Sequence, residues 1–298
     1  MGRRINRREF VKRGTAAGVV AAVAPLKGAP AMQTRVSSRP VVISSSNGHN
    51  SRYKNGGPDT VVEKAFALLT KGGDVLDALI AGVNIVELDP ADTSVGYGGL
   101  PNAEGVVQLD ASCMHGPKKR AGAVACIEGV RTPSLVAQKV MDMTDHHLLV
   151  GRDAQDFARK LGFKIEDDLN TETSRTRWLE WKRRTDPLHY LDPVKREAAL
   201  RRVEQEMIAE GLVDAHHFYG TINCNGVNAK GEICGVTTTS GLAWKIPGRV
   251  GDSPILGAGL YVDGEAGAAR RTSITCARSS SSRRCGADGT RRTRASRR

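Results

Sequence analysis

The residues of this 298-residue chain best suited to chemistry are concentrated between Gly220 and Ala269. The block opens Gly220-Thr-Ile-Asn-Cys-Asn225 and continues Gly235-Val-Thr-Thr-Thr-Ser-Gly241. It then reads Lys245-Ile-Pro-Gly-Arg-Val-Gly-Asp-Ser-Pro254 and Gly257-Ala-Gly-Leu-Tyr-Val-Asp263. A threonine hydroxyl is a weak nucleophile until a base takes its proton. At the start of a chain its own α-amine, with a pKa of about 7.7–8.0, can be that base. Arg249 and Asp252 stand three apart in a glycine-bearing loop. A guanidinium grips a carboxylate and a carboxylate holds an ammonium, so the pair suits the zwitterionic end of a free amino acid. His146-His147 and His216-His217 are adjacent pairs, without the i, i+4 spacing of two metal ligands on one helix face, and His115 is isolated. This composition argues against a metal hydrolase. The cysteines at 113, 126, 224, 234, 276 and 285 form no C-x-x-C pair. Cys224 and Cys234 flank a hairpin and could approach each other, but two buried thiols are the favoured reading.

These groups need a scaffold, and the apolar pattern supplies one. Residues 41–44 read as a strand. Residues 58–71 and 74–87 read as helices, each opened by an acidic or proline start and the first closed by Gly72-Gly73. Residues 94–99 form a glycine-rich turn. Residues 105–111 and 121–128 read as strands, 132–143 and 151–161 as helices. Residues 164–215 are highly charged and carry Trp178 and Trp181. They read as a surface segment or linker, helical over 196–210. Residues 221–225 and 233–239 form a strand pair around a turn at 228–231. Helix-rich and strand-rich halves suggest helices covering sheets.

The net charge of +12 suggests nucleic acid, but its placement argues otherwise. Residues 1–13 carry six Lys/Arg against one Glu, and residues 270–298 carry ten Arg against one Asp, which leaves the body at −2. A near-neutral body has no evident phosphate-binding face. The first tail has its own pattern: Arg7-Arg8, Phe10, Lys12, then an Ala/Val/Gly run from Gly14 to Ala24 and Ala29-Pro30-Ala31. Residues 1–31 resemble a twin-arginine export signal, implying a periplasmic or secreted protein. The apolar run is too short for a stable membrane anchor.

The block from Gly220 onward resembles the β-subunit signature of the aspartylglucosaminidase and plant-type asparaginase family of N-terminal-nucleophile hydrolases. Upstream matches are Ser94-Val-Gly-Tyr-Gly-Gly-Leu-Pro101, Leu109-Asp-Ala111, Gly122-Ala-Val124 and His147-Leu-Leu-Val-Gly151. The resemblance implies an α+β fold, a four-layer αββα sandwich. It implies autoproteolysis between Gly220 and Thr221, with Ser94 near the scissile bond, and Thr221 as the exposed nucleophile. Thr239 would orient that nucleophile, and Arg249 and Asp252 would hold substrate. Thr272 falls where the family carries an oxyanion-hole threonine, and Ser273, assigned to the substrate site, stands where glycine is expected. The substrate implied is a small amino-acid amide, asparagine or N4-(β-N-acetylglucosaminyl)-L-asparagine, with no cofactor and no metal. The matured form implied is an α/β heterodimer or its dimer.

On this reading residues 32–220 form the α-subunit part and residues 221–270 the β-subunit part. Residues 271–298 form an Arg/Ser-rich tail read as disordered. The switch in composition after Arg270 looks like a shifted reading frame, so the sandwich is expected to be incomplete in its C-terminal part. Gly220 in place of aspartate, and no tryptophan among residues 44–47, weaken the case for a glycan-bearing substrate and match the asparaginase and isoaspartyl-peptidase branch. The block Gly235-Val-Thr-Thr-Thr-Ser-Gly241 instead resembles bacterial proteins named for the glycosyl activity, so both branches stay open. An inactive remnant that does not mature is the remaining alternative.

Overall fold

The computed structural model describes residues 38–49, 54–185, 193–213, 219–263, 266–269 and 272–275. The export-signal residues, His216-His217, Cys276 and Cys285, and the tail beyond 275 lie outside them.

The fold is α+β. Six strands form one sheet in the order β1-β5-β6-β2-β3-β4. They are β1 (Val41–Ser44), β2 (Leu109–His115), β3 (Arg120–Ile127), β4 (Leu148–Val150), β5 (Tyr219–Val227) and β6 (Ile233–Leu242). All neighbours run antiparallel except β3 and β4. The strand expected over 105–111 starts at Leu109 instead. Gly105 turns the chain at φ 83 and packs under the Trp178 ring, which keeps the preceding residues in a loop.

Helices α1 (Val61–Thr70), α2 (Val75–Glu87), α3 (Pro133–Met143) and α4 (Gly151–Lys160) sit where the periodicity places them. Local chemistry fixes two of the starts. Thr60 and Glu63 make a reciprocal capping box on α1, and Asp74 accepts the Leu76 N–H at 2.9 Å on α2. Their apolar faces and the sheet bury one continuous core containing Leu76, Leu79, Ile80, Leu109, Ile127 and Ile222. The imidazole of the lone His115 is taken up here, 2.9 Å from Asp74.

A second sheet of three antiparallel strands is formed by β7 (Leu260–Val262), β8 (Ala266–Ala269) and β9 (Thr272–Thr275). It packs on the larger sheet at β5, β6 and β2, where Leu260 and Val262 meet Val227 and Ile233.

The charged segment differs from expectation. Residues 172–184 form helix α5 (Glu172–Arg184), capped by Thr171, and Pro193–Ala209 form helix α6. Trp181 is buried and stacks on Trp244 with ring centroids 5.5 Å apart. Val203, Met207 and Val213 complete a second core cluster around the pair. The charges decorate the outside of this layer, where Arg184 pairs with Glu180 and Glu210. Far from acting as a linker, the segment fastens the loop that follows β6.

Candidate active site

The β5–β6 pairing breaks where the chemistry is expected. Gly220 pairs with Gly241 and Ile222 with Thr238, so Thr239 and Ser240 oppose Thr221 alone. A bulge of this kind re-aims side chains and is common beside active sites. Here it leaves Thr221 exposed at the sheet's end while Thr239 is buried beneath it.

The Thr221 hydroxyl donates to Thr239 Oγ1 at 3.1 Å. Thr239 Oγ1 donates in turn to the Gly220 carbonyl and accepts the Gly241 N–H at 2.8 Å. A chain of hydroxyl hydrogen bonds therefore starts on the candidate nucleophile and ends on the carbonyl of the peptide it would attack. A donor on that carbonyl oxygen favours the negative charge that attack would develop there.

Ser94 packs against the same peptide. A Cβ added to Gly220 would fall 1.7 Å from Ser94 Cβ and 2.5 Å from its Oγ, so no side chain fits at position 220. The Ser94 carbonyl accepts both the N–H of Ser240, at 3.0 Å, and its hydroxyl, at 2.8 Å, which ties the glycine-rich turn to the bulge. Ser94 Oγ donates to Asp92 Oδ1 at 2.5 Å. Ser45 supports β5 from its other side, exchanging hydrogen bonds with the backbone of Asn223.

Glu87, at the end of α2, anchors β6 from below. Fully buried, its carboxylate accepts from Thr238 Oγ1 at 2.7 Å, Ser134 Oγ at 2.7 Å, Ser134 N at 3.1 Å and Asn84 Nδ2 at 2.5 Å. Burial pushes its pKa up to about 7, against those four hydrogen bonds. Its backbone carbonyl accepts the Tyr97 N–H at 2.8 Å, so one residue fixes both Thr238 and the turn that carries Ser94.

Residues 245–253 form the loop after β6 and carry the candidate substrate clamp. Arg249 is exposed and Asp252 half-buried. Five hydrogen bonds fasten the loop to neighbouring backbone, to β2 and the residue before it, and to the end of β3. The Ala103 N–H bonds Lys245 O at 2.8 Å, Lys245 Nζ bonds Gln108 O at 2.9 Å, and the Gly248 N–H bonds Gln108 Oε1 at 3.1 Å. Cys126 Sγ lies 3.8 Å from Arg249 O, and Ser112 Oγ bonds Ser253 O at 2.6 Å.

Thus Thr221 bonds Thr239, both Thr239 and Ser94 meet Gly220, and Arg249 reaches the neighbourhood of Gly241, which faces Gly220 across the pairing. Thr272 and Ser273 are placed by backbone alone, on β9, opposite Ala269 and Ala268. That strand packs over β5 and β1. Cys224 and Cys234 face Val236 and Gly226, so they do not pair, and both thiols are free and buried. Reading the sequence missed Asp92, Ser45, Glu87, Asp110 and Lys245. The Asp-x-Ser spacing of 92–94 and a carboxylate on the apolar face of α2 were the available signals.

A family model described as Asparaginase matches residues 42–274. Thr272 and Ser273 fall inside that match, which ends four residues past the switch in composition at Arg270. The chain is 38% identical over 270 residues to the N(4)-(Beta-N-acetylglucosaminyl)-L-asparaginase of Elizabethkingia miricola, covering 90% of this chain and 69% of that protein. It is 40% identical over 221 residues to the protein of the same name from Rattus norvegicus, covering 70% of this chain and 63% of the rat protein. The Mus musculus counterpart is 38% identical with the same coverage. The chain thus spans a little under two thirds of its rodent relatives.

Proposed function

This chain belongs to the asparaginase family, and on that premise we propose that it hydrolyses the side-chain amide of asparagine or of an N4-substituted asparagine after self-cleavage between Gly220 and Thr221. The observation that carries the reading is the hydrogen-bond chain from Thr221 Oγ1 through Thr239 Oγ1 to the Gly220 carbonyl. In the precursor the Thr221 nitrogen is an amide and cannot serve as a base. Thr221 Oγ1 attacks the Gly220 carbonyl carbon, its proton passes to the departing Thr221 nitrogen, and the C–N bond breaks to leave an ester. That shift already frees the α-amine; water then hydrolyses the ester, releasing the Gly220 carboxylate and restoring the Thr221 hydroxyl.

The amine then takes the Thr221 hydroxyl proton as that oxygen attacks the substrate amide. It returns the proton to the leaving nitrogen, and water releases aspartate from the acyl-enzyme. Arg249 and Asp252 hold the α-carboxylate and α-ammonium of the substrate. Thr272 and the Ser273 backbone stabilise the oxyanion from β9; one such donor is worth about 100- to 1000-fold in rate.

The two stacked sheets form the middle of a four-layer αββα sandwich, with residues 221 onward as the β chain of an α/β pair. Residues 1–31 direct export, which makes the matured enzyme periplasmic or secreted. A second reading, the asparaginase and isoaspartyl-peptidase branch without activity on glycosylated asparagine, is favoured by Gly220, which stands before Thr221 where members that cleave glycosylated asparagine usually carry aspartate.

Aspartate release from asparagine, an isoaspartyl dipeptide and N4-(β-N-acetylglucosaminyl)-L-asparagine tests the function and separates the readings. Release from at least one, abolished in Thr221→Ala, is expected. Release that survives Thr221→Ala, or none from any of the three, refutes the proposal.

A further inference from the structure

Asp110 and Lys245 belong to the sequence blocks that carry the family resemblance, yet neither has a role in the chemistry above. Both are buried, at 0% and 3% exposure, beneath the loop that bears Arg249. Asp110 sits where the β2–β3 pairing loses register, between Leu109 and Ala111. Its Oδ1 accepts the N–H of Cys126 at 2.8 Å, a residue held at φ 49. The Gly251 N–H faces the same carboxylate. Among the described residues Asp110 Oδ2 has no hydrogen-bond partner. Burial drives the carboxyl pKa up, opposed first by the charge of Lys245 and also by that of Arg249. Burial likewise drives the Lys245 ammonium down, opposed first by Asp110.

Arg249 lies between two glycines, one near each of these charges. A Cβ on Gly251 would be 2.9 Å from Arg249 Nη1. A Cβ on Gly241 would be 2.9 Å from Lys245 Nζ and 3.6 Å from Arg249 Nη1. Two cations therefore share the open side of Gly241, directly across the strand pairing from Gly220. Among the described residues the Arg249 guanidinium makes no hydrogen bond or ion pair.

A buried carboxylate with one oxygen unsatisfied attracts any cation within reach, because a charge left uncompensated in the interior is costly. Two cations lie close by: Lys245 Nζ is held 2.9 Å from the carbonyl of Gln108, two residues before Asp110, and the Arg249 carbonyl lies 3.8 Å from the thiol of Cys126, whose N–H binds Asp110. If Arg249 answered Asp110, it would be neutralised and turned inward. We propose that Lys245 is a positioning residue: as the internal counter-charge of Asp110, it leaves the Arg249 guanidinium open to a substrate α-carboxylate. Selectivity for a free α-carboxylate is then set by three charges, Asp110, Lys245 and Arg249. The inference rests on the proposed role of Arg249 and deepens it.

The test is steady-state kinetics of the matured full chain on asparagine and on 3-aminopropanamide, which is asparagine without its carboxylate. In Lys245→Met the KM for asparagine rises about 10- to 100-fold, the worth of one hydrogen bond to a charged group. The kcat stays within about threefold, since the chemical step is untouched. The kcat/KM for 3-aminopropanamide is unchanged. Adding Asp110→Asn to Lys245→Met removes the competing carboxylate and returns the asparagine KM toward wild type. Asp110→Asn alone keeps the wild-type KM and covers the case in which Lys245→Met does not fold. Equal losses on both substrates, an unchanged KM in Lys245→Met, no recovery in the double variant, or a raised KM in Asp110→Asn would each overturn the inference. A wild-type enzyme that treats the two substrates alike overturns the role of Arg249 and this inference together. A wild-type enzyme that discriminates, with Lys245→Met discriminating equally, overturns the inference alone.

Discussion

Replacing Thr239 with valine exchanges one hydroxyl for a methyl at nearly constant shape, and the structure shows what that hydroxyl does. It accepts the proton of Thr221 at 3.1 Å, accepts the Gly241 N–H at 2.8 Å and donates to the Gly220 carbonyl. Loss of the donor leaves the Gly220 oxygen unsupported as it becomes an oxyanion, which should slow scission about 100- to 1000-fold. Gly241 is only half-buried, so water replaces its lost acceptor, whereas Gly220 is buried and its orphaned carbonyl costs about 1–3 kcal/mol of stability. At roughly 2–4 °C per kcal/mol for a chain of this size, Tm should fall by several degrees without loss of the fold. The assay is a time course of precursor on a denaturing gel, with intact mass of the products, beside circular-dichroism melting. Thr239→Ser, which keeps the hydroxyl, should cleave within about tenfold of wild type, since only a packed methyl is lost. A valine variant that matures as fast as wild type refutes the hydrogen-bond chain as the activating element.

Gly220→Ala should destabilise the chain by about 1–3 kcal/mol or more through overpacking against Ser94, and Ser94→Gly in the same molecule should recover only part of it, because the backbone Cα at position 94 would still lie 2.5 Å from the new Cβ; chemical denaturation of the four members of the cycle checks this, and additive losses would contradict it. The Glu87 carboxyl is raised in the folded state from 4.5 to about 7, so the folded state binds the extra proton. The stability this contributes is fully present below pH 4.5 and lost as pH rises through about 7, amounting to about 3 kcal/mol over the window. Urea midpoints at several pH values should therefore show wild type losing stability relative to Glu87→Gln between those limits, and parallel curves would refute the assignment. Trp181→Ala, which removes the partner stacked 5.5 Å from Trp244, should cost about 3–5 kcal/mol in urea unfolding, and a loss below about 1 kcal/mol would mean that α5 does not fasten the loop.

What could be read from the sequence is what local chemistry decides. The helices α1 to α4 announce themselves by caps and apolar spacing. The β5–β6 hairpin follows from β-branched runs around an Asn-x-x-Gly turn whose Gly231 takes φ 75. Thr221, Thr239 and Gly220 lie on adjacent strands of that hairpin, so their meeting follows from its register, while Ser94 comes from a distant turn and was placed by resemblance alone. Helix α5 was hidden because its polar, Arg-rich face dominates its composition, and only Trp178 and Trp181 report the buried side. Glu87, Asp110 and Lys245 were hidden for another reason. A charge reads as a surface residue until the partners that make its burial tolerable are known, and those partners come from distant segments: Ser134 and Thr238 for Glu87, Cys126 and Lys245 for Asp110.

The central claim is that Thr221 gains its power from a nitrogen released by scission of its own peptide bond. N-terminal sequencing with intact mass, on purified full-length chain incubated near neutral pH, addresses it directly. The account predicts a new chain beginning Thr221-Ile-Asn-Cys, paired with one ending at Gly220, and neither in Thr221→Ala. Folded protein that hydrolyses the amide while remaining uncut would contradict it.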